Sequence, residues 1–123
     1  MKEAHAHTLT QVTKQITDFR DAREWLQFHN PKDMAIAISV EASELLEHFL
    51  WKTPAEVQRR AKDKKEEIRD EIADIAIYLV ELADILNIDI LEAMDLKLAK
   101  NGAKYPVSKA KGSNKKYTEL EQS

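Results

Sequence analysis

The stretch VEASELLEHFLWK, Val40 to Lys52, decides how this chain is read. Its apolar residues recur at the three- and four-residue spacing of an amphipathic helix, yet Glu41 falls where that helix should be apolar. At ~100° per residue, with Glu41 at zero, Met34, Leu45 and Ile38 lie at roughly +20°, +40° and +60°. His48, Ala37 and Glu44 lie at roughly −20°, −40° and −60° on the other side. Glu41 is therefore inside the apolar arc and Glu44 is at its edge. Downstream, EEIRDEIADIAIYLVELADI repeats the arrangement. With Glu71 at zero, Leu82, Ile75, Tyr78 and Ile85 surround it within roughly 40°, and Asp74 sits at about −60°, the offset of Glu44. Two helices thus each carry an acid pair, i and i+3, at the border of a buried face.

The rest of the chain is punctuated as helices. Leu9, Val12, Ile16, Phe19, Arg23 and Leu26 predict a helix from Leu9 to about Phe28. Asn30-Pro31-Lys32-Asp33 reads as a restart: Asn30 caps, Pro31 suits the first turn, and Asp33 favours the positive helix end. That helix is expected to reach about Trp51. Thr53-Pro54-Ala55-Glu56 is a capping box opening a short helix through Arg60. The next helix runs from near Lys64 to Leu86, with Asn87 as its stop. Asp89 and Glu92 then open a last one that ends around Asn101-Gly102. The expected class is all-α, a four-helix-bundle-like domain over 1–106, followed by a basic flexible tail over 107–123.

Composition narrows the function classes. There is no cysteine, so disulfides and thiolate metal sites are excluded. Only two glycines and three prolines occur in 123 residues, which favours long helices over many strands. A net charge of −3 argues against binding a nucleic-acid backbone, although Lys104, Lys109, Lys111, Lys115 and Lys116 follow one another without an acid between them. No apolar run approaches the ~18 residues of a membrane span, and no secretory pattern opens the chain. A soluble, cytoplasmic protein is expected.

A buried ionised carboxylate costs several kcal/mol unless it is paired or metal-bound. Within the two acid-bearing helices only Lys32 and Arg69 are placed to help. Four hard oxygen donors, Glu41, Glu44, Glu71 and Asp74, suit Mg²⁺, with Mn²⁺ as a substitute, rather than zinc. Such ions can clamp a polyphosphate and supply a nucleophile. Glu66, Glu67, Asp70, Glu81 and Asp84 read as solvated or ion-paired. No P-loop motif is present. Two rival classes stay open at this level: a di-iron or metal-storage bundle, although its Glu-x-x-His spacing is absent, and a non-catalytic helical interaction protein whose acids are solvated.

The order EASELLEHFLWK then EEIRDEIADIAIYLVELAD resembles the MazG-like all-α nucleotide pyrophosphohydrolases, most closely their dCTP pyrophosphatase branch. The family motif, Glu-x-x-Glu, a spacer, then Glu-x-x-Asp, is matched by Glu41, Glu44, Glu71 and Asp74. The likeness includes REWLQFHNPKDMAIAISVE upstream and KLAKNGAKYP downstream, so it spans roughly Phe19 to Pro106; Ser43 stands where many members have glycine. It implies Mg²⁺-dependent cleavage of a nucleoside triphosphate to monophosphate and pyrophosphate, as housekeeping of the nucleotide pool. It implies further that Trp25, His29 and Trp51 line a base pocket with Phe28 beside them, that Tyr78 faces the nucleotide, and that Lys32, Lys97, Asn101 and Lys104 contact phosphate or sugar. Ala73, Ile77 and Val80 lie opposite Ile75 and Leu82, so the Glu71 helix is apolar almost all round. A homodimer or homotetramer is therefore expected, and the resemblance points the same way.

Overall fold

The computed structural model describes residues 7–121. All regular structure among them is helical, and none of these helices is long and apolar enough to cross a membrane. The helix starts follow their caps. Helix α1, Leu9–Ala22, opens with a capping box in which Thr8 accepts from Gln11 N–H and Gln11 accepts from Thr8 N–H. Helix α2, Pro31–Glu47, is capped by Asn30, whose Oδ1 accepts from Asp33 N–H at 2.9 Å. The Thr53–Glu56 capping box opens α3, Pro54–Asp63. After a single non-helical residue, Lys64, α4 runs over Lys65–Ile85. Asp89 caps α5, Ile90–Lys104, by accepting from Glu92 N–H at 3.0 Å.

Two helices are shorter than the apolar periodicity predicts. α1 stops at Ala22 rather than near Phe28, because Glu24 takes a left-handed φ of 53° and breaks the ladder. The Arg20 carbonyl accepts from both Arg23 and Trp25 N–H, which turns the chain into a 3₁₀ turn over Leu26–Phe28. α2 stops at Glu47 rather than near Trp51. His48 and Phe49 N–H bond three residues back, and Trp51 takes a φ of 59°. α4 ends as its sequence suggests, with Asn87 at φ 58°, a conformation asparagine tolerates.

The chain divides into two compact units, one ending at Asn87 and the other beginning at Ile88. In the first, α4 is the spine, α2 lies along it most extensively, and α1 and α3 also rest on it. Met34 and Ala83 are buried there, while Ile36, Val40 and Leu46 of α2 and Ile72, Ile77 and Leu79 of α4 stay exposed. In the second unit, α5 leaves Leu91, Met94, Leu96 and Leu98 exposed. Beyond Pro106, where a flexible tail is expected, the described residues form two one-turn helices, α6 (Val107–Ala110) and α7 (Tyr117–Leu120). Leu120 is buried, Tyr117 meets Tyr105 edge-on at 6.1 Å, and the Lys104 ammonium lies 4.9 Å from the Tyr117 ring centre.

Candidate metal centre and adjoining cavity

The close pairing of α2 with α4 brings the acid pairs to one place. Ligand oxygens of Glu41, Glu44 and Glu71 all lie within 4.8 Å of one another. Oε2 of Glu41 and Oε2 of Glu71 are buried without a hydrogen-bond partner. No ion pair among the described residues reaches any of the three, or Asp74. The electrostatics follow from this crowding. Burial first, and then the neighbouring Glu44 carboxylate, push the Glu41 carboxyl up to about 7. Burial, then Glu44, also raises Glu71. Asp74, one turn beyond Glu71 on α4, adds to both effects through its charge but lies outside the tight three-oxygen set.

Buried carboxylate oxygens aimed at one another without donors are what a divalent cation relieves. The donor set is hard oxygen throughout, so the residues present fit a divalent cation. His48 does not join them. Its Nδ1 accepts from the Arg60 guanidinium, at 3.3 Å from Nε and 3.1 Å from Nη2.

Asp74 also lines a cavity of about 250 Å³ between α1, the 3₁₀ turn and α4. Its apolar wall is Ile16, Phe19, Trp25 and Ile77; Arg20, His29, Tyr78 and Glu81 supply polar groups. Trp25 packs edge-on against Phe19 at 5.8 Å and lies 6.2 Å from the His29 ring. The early end of α1 is what places Trp25 and His29 here. The Tyr78 phenol is raised by burial first and then by Glu41 and Asp74, an electrostatic link between cavity and acids.

Of the sequence-derived site residues, the structure thus gathers Glu41, Glu44, Glu71, Asp74, Trp25, His29 and Tyr78. Trp51 is 93% exposed, and Phe28 is also exposed. The Lys32 ammonium is solvated 3.8 Å from Asp33 and borders a shallow groove with Ile36 and Ser39. Lys97, Asn101 and Lys104 belong to α5 of the second unit. Sequence reading missed Arg20 and Glu81. Arg20 carried a signal: it lies at roughly +40° from Ile16, inside the apolar stripe of α1. Glu81, read as solvated or ion-paired, is ion-paired but only 2% exposed.

The model of the MazG-like family matches residues 36–120. Among curated relatives, dCTP pyrophosphatase 1 of Rattus norvegicus is 37% identical over 115 residues, covering 92% of this chain and 68% of the relative. The Homo sapiens enzyme of that name is 36% identical over the same shares. Among solved structures, a pyrophosphatase from Archaeoglobus fulgidus DSM 4304 is similar with a TM-score of 0.78 and 39% identity, covering 86% of this chain and 99% of that one.

Proposed function

The chain belongs to the MazG-like family, and from that premise we propose that it is a divalent-cation-dependent nucleoside triphosphate pyrophosphohydrolase acting on dCTP or a closely related nucleotide. Water cleaves the bond between the α and β phosphates, releasing the monophosphate and pyrophosphate, in a house-cleaning role toward the cytoplasmic nucleotide pool. The observation that carries this reading is the pair of buried, unpartnered oxygens of Glu41 and Glu71 on adjoining helices beside an aromatic cavity.

Glu41, Glu44, Glu71 and Asp74 would hold Mg²⁺, for which Mn²⁺ could substitute. When bound, the cation neutralises phosphate charge and supplies a nucleophile at neutral pH. The four acids fix where the phosphates lie, and Asp74, shared with the cavity, sets the distance from phosphates to base. Trp25 offers a stacking face for the base, while His29 and Tyr78 offer polar edges. The exposed Ile72 and Leu79 of α4, with Ile36, Val40 and Leu46 of α2, are too many apolar groups to leave in water and support assembly as a homodimer or a dimer of dimers.

The test is a panel of common and modified nucleoside triphosphates assayed for monophosphate and pyrophosphate with Mg²⁺, with Mn²⁺ and with chelator. Cation-dependent release of pyrophosphate is expected. Release of orthophosphate instead, or turnover indifferent to chelator, contradicts the proposal.

A further inference from the structure

One buried acid has no part in holding the phosphates. Glu81 is 2% exposed and reaches the same cavity from α4. Both of its oxygens meet His29 Nδ1, at 2.8 and 2.9 Å. Arg20 Nη1 lies 3.6 Å from Glu81 Oε1, and Arg20 is itself buried, with its Nε donating to Asp21 at 2.9 Å. The three groups come from the end of α1, the turn after it and the C-terminal part of α4, so they meet only because the fold joins those elements. Arginine is always charged, so the Arg20 guanidinium, shared with Asp21, gives the Glu81 carboxylate a cationic neighbour that does not depend on His29. A carboxylate can only accept, so His29 carries its proton on Nδ1 and keeps Nε2 alone for a ligand. A neutral ring held in this way offers Nε2 as an acceptor.

We infer that Glu81, clamped by Arg20, is a positioning residue that locks His29 as the Nδ1–H tautomer and so selects nucleobases presenting an exocyclic amine over those presenting a carbonyl at the same edge. This rests on the proposed hydrolysis of dCTP or a related nucleotide, and it adds the residue that sets the preference for that base. The acid does not touch the substrate. It fixes the ring that does.

The experiment compares dCTP with dUTP, which present an amine against a carbonyl at position 4 and a bare N3 against N3–H beside it. It uses the full chain, and two double variants built on Arg20→Ala so that neither leaves a lone buried charge. Wild type is expected to favour dCTP in kcat/KM. In Arg20→Ala/Glu81→Ala that preference falls roughly tenfold or more, and the loss falls on KM for dCTP rather than on kcat. Arg20→Ala/Glu81→Gln, which keeps an acceptor oxygen for Nδ1–H, retains more of it. Nitrogen-15 NMR of the wild-type imidazole is expected to show His29 neutral and protonated at Nδ1, a reading independent of whether the variants fold. A doubly protonated or Nε2–H ring, a wild type preferring dUTP, or two variants with unchanged preference overturns the inference while leaving the hydrolysis intact. A wild type that cleaves neither nucleotide refutes the hydrolysis itself, and the inference with it.

Discussion

Raising the pH should destabilise the cation-free protein, against the trend of most acidic proteins. The Glu41 carboxyl is held at about 7 against an ordinary 4.5, by burial and then by Glu44. Between those values the folded chain keeps a proton that the unfolded chain has released. The unfolded state thus binds fewer protons, and stability falls as pH rises through that window. The slope is at most about 1.4 kcal/mol per pH unit for one proton. Across the whole window the ceiling is about 3 kcal/mol, and partial solvent access to Glu41 trims this to about 1–2 kcal/mol. At this chain length that is a fall in Tm of roughly 3–10 °C between pH 5 and pH 8. Glu71, raised for the same reason, acts in the same direction.

Other groups titrate over the same range, so the contrast to measure is wild type against Glu41→Gln, followed by circular dichroism melts at one fixed protein concentration. Without divalent cation, Glu41→Gln should match wild type at pH 5 and exceed it at pH 8 by about 1–2 kcal/mol. Saturating Mg²⁺ should reverse the order at pH 8, because the ion supplies the counter-charge that the wild-type carboxylate lacks. Since the ion must displace the shared proton, its apparent affinity should rise about tenfold from pH 6 to pH 8. A cation-free wild type that gains stability over Glu41→Gln as pH rises would refute the crowding of these acids.

Three further outcomes are expected. Glu71→Gln or Asp74→Asn should lower kcat by roughly a hundredfold or more while the far-ultraviolet dichroism stays that of the wild type. Ile72→Lys, placing a charge on the exposed apolar face of α4, should shift the mass measured by light scattering toward monomer; an unchanged mass would move the interface elsewhere. Thr53→Ala removes the side chain that accepts from Glu56 N–H and half of the capping box of α3, and should cost about 1 kcal/mol in denaturant melts without altering KM.

What the sequence made legible depends on where each signal is stored. Helix starts are written locally: Asn30, Thr53 and Asp89 each announce themselves with a side chain three residues from the N–H they cap, and each caps as read. Two ends were not written at all. Glu24 and Trp51 take left-handed backbone that their residue types do not advertise, so α1 and α2 looked longer than they are, whereas Asn87 did mark the end of α4. The first of these hidden breaks matters most. Without the turn at Glu24, Trp25 and His29 would continue along α1 instead of lining the cavity with α4.

The same division separates the acids. Glu41 and Glu71 could be singled out because a carboxylate among apolar neighbours at helical spacing is costly unless something offsets it, and that cost can be computed along one helix. Glu81 gave no such contrast. It lies seven residues after Asp74, on the polar shoulder of α4, where buried and solvated acids look alike in sequence. Its burial is decided by Arg20, 61 residues away, and by a histidine carried in on a turn no local pattern predicts. Charge balance then distinguishes the two kinds of buried acid. Where the chain brings its own guanidinium, as at Glu81, the acid is structural and its effect is passed on through His29. Where the chain brings three carboxylates and no cation, as at Glu41, Glu44 and Glu71, only a retained proton or a cation from outside relieves the crowding.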